Sequence, residues 1–169
     1  MTDQHELEML KKTDRQVYPN VYMPLSAIYN PHYTPERADA IACMIVKAMP
    51  VLKRILGLQS FNVKVRVCPI KRKSVNGCYY FDSQTAWVDF RRSPRKVLET
   101  LCHEMVHAQQ YASGRLVRSN NKHSLWDGQW VKSNPTSYAA YRALPWEAEA
   151  FERQAGLADL VEAEIGKVE

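Results

Sequence analysis

His103-Glu104-Met105-Val106-His107 is the stretch on which the reading of this chain turns. The sequence around it predicts a helix. Ser93 suits an N-cap, Pro94 the first helical position, and Gly114 a stop. Leu98, Leu101, Met105 and Ala108 form the stripe that faces a core. His103, His107 and Gln110 lie on a different stripe, turned toward a cleft. Residues four apart share one helical face, so two imidazoles at this spacing can close on one metal ion. Glu104 stands beside them to handle a proton. This HExxH arrangement is that of a zinc-dependent hydrolase. Three fixed positions carry little information alone, and the flanking sequence has to decide between a site and a coincidence.

Upstream, Thr34 and Pro35 begin a second helix, with Ile41, Ile45, Met49, Leu52 and Leu56 at helical spacing as core. Pro50 should kink it and Gly57 end it. Phe61, Val63, Val65 and Val67 alternate with polar residues, which predicts a strand with one face buried. Cys78 to Phe81 and Thr85 to Phe90 predict two more strands, joined by a turn at Asp82-Ser83. Residues 1 to 33 predict little: a short helix over Asp3 to Lys12, then an irregular, extended segment through Pro19, Pro24 and Pro31. Downstream, Arg115 to Leu144 is polar and aromatic without helical period. It predicts a hairpin or lid beside the motif, since a long connection in a compact domain is usually functional. A last helix starts at Pro145, with Gly156 as a break.

Composition bounds the rest. The chain has 169 residues, 46 % of them hydrophobic, which predicts one domain, 1–169, with a sizeable core. The longest apolar run, Ala40 to Val46, stops at Lys47, far short of a membrane span. Met1 to Lys12 is polar and charged and does not read as a secretory signal. Cys43, Cys68, Cys78 and Cys102 are scattered without a CxxC pair, which points to free thiols in a reducing, cytoplasmic compartment. Net charge is +5, unevenly spread: from Glu147 onward seven acids meet two bases, giving −5, so the remainder carries +10. Lys71-Arg72-Lys73, Arg91-Arg92 and Arg95-Lys96 are the densest basic clusters, and such a face could meet nucleic acid.

A catalytic zinc takes three protein ligands and leaves a position for water. His103 and His107 supply two. The third comes from Glu147, His123 or Glu149. Glu147 is favoured because it lies in the first turn after Pro145 and completes a His2Glu set. Glu149 points about 200° away from Glu147 on a helix and could instead orient a histidine. Glu104 is expected to act as general base rather than ligand. Tyr138, Tyr141 and His123 could each donate to an oxyanion. The donor set also accepts cobalt, nickel or manganese.

The run Leu101-Cys102-His103-Glu104-Met105-Val106-His107-Ala108-Gln109-Gln110-Tyr111 resembles the active-site helix of SprT-like and phage-encoded metallopeptidases. Trp126-Asp127-Gly128 and then Pro145-Trp146-Glu147-Ala148-Glu149-Ala150-Phe151 resemble their second signature. The resemblance covers about residues 61 to 155. Gluzincin relatives, including the ImmA/IrrE group, carry a ligand glutamate three residues before an alanine, as Glu147 stands before Ala150. This implies Glu147 as third ligand. Those relatives follow the alanine with Asn or Asp, where this chain has Phe151, so the polar contact is either absent or supplied elsewhere. Spartan-type members use a third histidine in a His-Gly context, and His123 is followed by Ser124 instead.

The resulting expectation is an α+β, zincin-like domain. A small, mainly antiparallel sheet packs on the HExxH helix, with an N-terminal backing helix and a C-terminal helix bearing the ligand. The expected activity is zinc-dependent hydrolysis of a protein or peptide substrate, with Glu104 as general base, in a phage or prophage setting. The strand Thr85 to Phe90 would hold substrate by strand addition. The alternative is a nucleic-acid-associated or virion protein whose metal site is structural or vestigial. No membrane partner is expected.

Overall fold

The computed structural model describes residues 14–24, 34–70, 75–118, 120 and 122–168. Two sequence readings, the helix over Asp3 to Lys12 and the basic cluster Lys71-Arg72-Lys73, lie outside the described residues.

Two helices begin where their capping residues predict. In α1 (Pro35–Ile55), the Thr34 hydroxyl accepts from the Arg37 amide at 3.3 Å. In α2 (Pro94–Ala112), the Ser93 hydroxyl accepts from Lys96 at 3.3 Å. Each cap satisfies an amide that has no partner inside the helix. Past α2, Gly114 takes φ +71°, the left-handed conformation in which glycine carries no Cβ penalty. α1 runs on through Pro50, and its stripe from Ile41 to Leu56 is buried.

The main sheet has five strands in the order β1-β2-β3-β5-β4. They are β1 (Asp14–Tyr18), β2 (Val21–Pro24), β3 (Lys64–Val67), β4 (Gly77–Tyr80) and β5 (Thr85–Val88). The expected mainly antiparallel sheet is corrected to a mixed one. β2 and β3 are parallel, as are β3 and β5, while β1/β2 and β4/β5 are antiparallel. The cause is α1, which carries the chain from β2 to β3 as the crossover that parallel neighbours need. The N-terminal stretch read as irregular therefore supplies two strands, and Val21 and Met23 are buried.

Arg66 also departs from expectation. It sits at an alternate position of β3 that should face water, yet it is buried, with its guanidinium 4.4 Å from the ring of Trp87 on β5. Leu98, Leu101, Met105 and Ala108 are fully buried in the core that α2 shares with the sheet and α1.

The chain then forms a three-stranded antiparallel meander, β6 (Leu116–Arg118), β7 (His123–Trp126) and β8 (Gln129–Lys132). Asp127 and Gly128 link β7 to β8 with φ of 48° and 80°. Two consecutive positive φ angles are what a two-residue hairpin turn demands, and Asp-Gly is among the sequences that supply them most readily. A short helix α3 (Tyr138–Arg142) leads to α4 (Pro145–Ile165).

Gly156 does not break α4. Glycine costs a helix interior about 1 kcal/mol. Leu157, Ala158 and Val161 beyond it are buried in the core, which offsets that cost. α4 packs along α2. Arg95 of α2 spans the pair, meeting Asp159 at 2.8 Å and Glu162 at 2.5 Å besides its own Glu99. Arg91 closes on Asp89 at 2.6 Å. Two of the basic clusters therefore spend charge on internal ion pairs. Among the described residues no helix is long and apolar enough to cross a membrane.

Candidate metal centre

Packing α4 against α2 brings residues 103, 107 and 147 together. His103 and His107 project one turn apart from α2, their rings 4.8 Å apart and nearly perpendicular. Glu147 projects from the first turn of α4, where Pro145 fixes the start and Leu144 offers no side-chain cap. The Nε2 atoms of the two histidines are 3.1 Å apart. The Glu147 carboxylate reaches His103 Nε2 at 3.2 Å and His107 Nε2 at 3.4 Å. One donor atom from each residue falls within 4.8 Å of the others, and all three are buried.

The far nitrogens decide what can sit between them. His107 Nδ1 faces Gln110 Oε1 at 2.8 Å, and His103 Nδ1 faces Gln154 Oε1 at 3.1 Å. Gln110 is oriented, because its Nε2 donates to the Trp146 carbonyl at 3.0 Å. An amide oxygen only accepts, so each Nδ1 carries a proton. The two Nε2 atoms and a carboxylate then converge on one buried point, which favours a positive charge. The electrostatics of the site favour a proton on His107. Burial opposes it, but Glu147 and Glu104 outweigh burial and push His107 up to about 9. The same geometry suits a metal ion. Burial alone would raise the Glu147 carboxyl. Its contacts with the His103 and His107 rings, and the positive charge favoured on His107, hold it at about 2 instead, so it is an anion.

Glu104 is also buried, and burial pushes its carboxyl up despite the neighbouring histidines. It stands apart from the group of three. Gly77 of β4 lies against it, so close that a Cβ there would be 2.6 Å from Glu104 Oε1. Tyr141 of α3 stands beside Glu147, and burial followed by that carboxylate raises its phenol, so it stays a donor.

A cleft of about 520 Å³ opens over these residues. The β4 edge with Asn76, Gly77 and Cys78 forms one wall, and Leu116, Arg118 and Ser124 of the meander form another. Tyr138 and Tyr141 also line it. The stretch expected to be a hairpin or lid is thus a hairpin extended to a three-stranded sheet that walls the cleft. Burial pushes the Cys78 thiol up to about 12, so it is no ready nucleophile.

Two sequence candidates fall elsewhere. His123 is exposed at the start of β7, and its strand neighbour Ser124 is the one that lines the cleft. Glu149 meets Arg115 and Arg153, each at 3.0 Å, and reaches Gln110 Nε2 at 3.4 Å. It therefore acts on His107 only through Gln110. The strand Thr85 to Phe90 is not placed to accept a substrate strand, because β5 is hydrogen-bonded on both sides. The sheet edge at the cleft is β4. Gln154 went unnoticed in the sequence. Its spacing of two helical turns from Glu147 was the available signal.

No family model, no curated protein and no solved structure matches this chain.

Proposed function

We propose that the protein is a metal-dependent peptidase, with His103, His107 and Glu147 as ligands and Glu104 as general base. The observation that carries this reading is the convergence of two inward Nε2 atoms and an anionic carboxylate beside a separate buried carboxyl. A structural metal site has no use for Glu104, since it closes its coordination with ligands alone.

A divalent ion held by the three ligands would supply Lewis acidity, acidifying a water and polarising a carbonyl. Glu104 takes the proton from the attacking water and passes it to the departing amine. Its raised proton affinity suits both halves of that task. Tyr141 stands beside Glu147, where its hydroxyl can turn to the oxygen that gains charge. An extended peptide can pair with the β4 edge, among the described residues the only strand of the main sheet whose free side meets the cleft. Zinc fits the nitrogen-and-carboxylate donor set, and the SprT-like resemblance of the two signatures points the same way.

The test compares wild type with Glu104→Gln. Both should bind one equivalent of Zn2+, and only wild type should cleave an unfolded protein substrate. Cleavage that survives in Glu104→Gln overturns the general-base role. Absence of metal binding in folded wild type overturns the centre itself.

A further inference from the structure

Each histidine of the centre has an outer partner, and the two partners are of one kind. Gln110 holds His107 and Gln154 holds His103. On α4, Phe151 comes one turn after Glu147 and sets its ring against His103, 4.6 Å between centroids at 65°. The Arg142 guanidinium lies over the Phe151 ring, 4.3 Å from its centroid. Phe151 therefore fixes the plane of the imidazole without bonding to it. Gln154, nearly a further turn along, makes the polar contact.

We infer that Gln154 is a positioning residue for the metal centre, and that with Gln110 it gives both histidines a neutral, amide-only outer layer. The inference rests on the reading of His103, His107 and Glu147 as ligands. An acceptor on the far nitrogen fixes the tautomer and aims the near nitrogen inward, whatever its charge. A carboxylate acceptor would also make the imidazole a stronger donor and hold the ion more tightly. An amide withholds that second effect. It would leave a bound ion a stronger Lewis acid, with Glu147 as the one anion among the three proposed ligands. The amides also add no further anion to a buried group that already holds Glu104 and Glu147.

The experiment is competition for Zn2+ and Co2+ against a chromophoric chelator, using wild type, Gln154→Leu and Gln154→Glu. Thermal melting of each metal-free protein controls for folding. Gln154→Leu should lose roughly 10- to 100-fold in affinity, and Gln154→Glu should gain by up to a similar factor. The visible spectrum of bound Co2+ should change in Gln154→Leu, because the His103 ring is released. The gain in Gln154→Glu keeps the test decisive if the leucine variant does not fold. If wild type binds the ions and both variants match it in affinity and spectrum, this inference is overturned while the ligand assignment stands. If wild type binds neither ion, the ligand assignment falls and this inference with it.

Discussion

A methyl group on Gly77 would lie 2.6 Å from the Glu104 carboxylate oxygen, and also 2.5 Å from Thr100 Cγ2 and 2.9 Å from the Trp87 carbonyl. The glycine is what lets the edge strand lie directly on the proposed base. Gly77→Ala should cost about 1–3 kcal/mol of stability, because the Trp87 carbonyl belongs to the backbone and cannot swing away. It should also displace Glu104 while leaving the three ligands in place. Urea unfolding, metal content and peptide hydrolysis measured together check this. Full hydrolysis by a stable Gly77→Ala protein would mean that β4 does not constrain Glu104.

Tyr141, Tyr138 and His123 are separated by position. Tyr141 lines the cleft beside Glu147, Tyr138 lines it too, and His123 is exposed outside it. Tyr141→Phe should lower kcat by roughly 10²- to 10³-fold, the scale of losing one oxyanion donor. Tyr138→Phe and His123→Ala should stay near wild type. A change in KM alone for Tyr141→Phe would assign its hydroxyl to substrate binding instead.

Metal should stabilise the fold, because the ligands come from two helices that must be docked to present them. At free Zn2+ one hundred times Kd, the gain is about 2.7 kcal/mol. Excess chelator should therefore lower the melting temperature of wild type. Glu147→Ala should show a much smaller difference between metal-loaded and chelated forms, and His123→Ala the full one. Equal differences in wild type and Glu147→Ala would remove Glu147 from the ligand set.

What was legible in the sequence was whatever depends on local chemistry. Ser93-Pro94 and Thr34-Pro35 mark helix starts because capping is decided within four residues. The His103/His107 pair shares a face for the same local reason. Glu147 could be favoured because Pro145 fixes where its helix begins. Partnerships formed across the fold were not legible. The parallel pairing of β2 with β3 depends on a strand hidden among prolines, and Gln154 meets His103 only after α4 docks. Gly156 misled because its local cost is outweighed by burial farther along the helix. The hairpin read between Trp126 and Trp130 is legible because Asp127-Gly128 supplies its turn locally, whereas the pairing of β6 onto it is not.

Asp89 gives the fold a pH dependence independent of the metal centre. It is buried and accepts from the amides of Ile70 and Arg91 and from the Arg91 guanidinium. Burial alone would raise its carboxyl, but Arg91 and the two amides hold it below the ordinary value of 3.8. A depressed carboxyl stabilises the fold above its unfolded value. That contribution is lost as pH falls from there through the folded value. Asp89→Asn should cost about 1.5–3 kcal/mol at neutral pH, the scale of hydrogen bonds to a charged group. The gap from wild type should shrink in acid, as followed by denaturant unfolding across the range. A gap of constant size would show that the charge of Asp89 is not what matters.

The bond from Gln110 to the Trp146 carbonyl ties the end of the motif helix to the start of α4. Between those points the chain makes a single excursion, from Gly114 to Leu144, through the meander and α3. Both ends of the excursion are stapled at the site, so its interior works as an interchangeable faceplate. Turns could be rebuilt and cleft-facing side chains replaced without moving the donors behind them, provided Tyr141, Arg142 and Arg115 keep their places against α4. One cleft wall is thus carried by a stretch of chain separate from the helices that bring His103, His107 and Glu147 together.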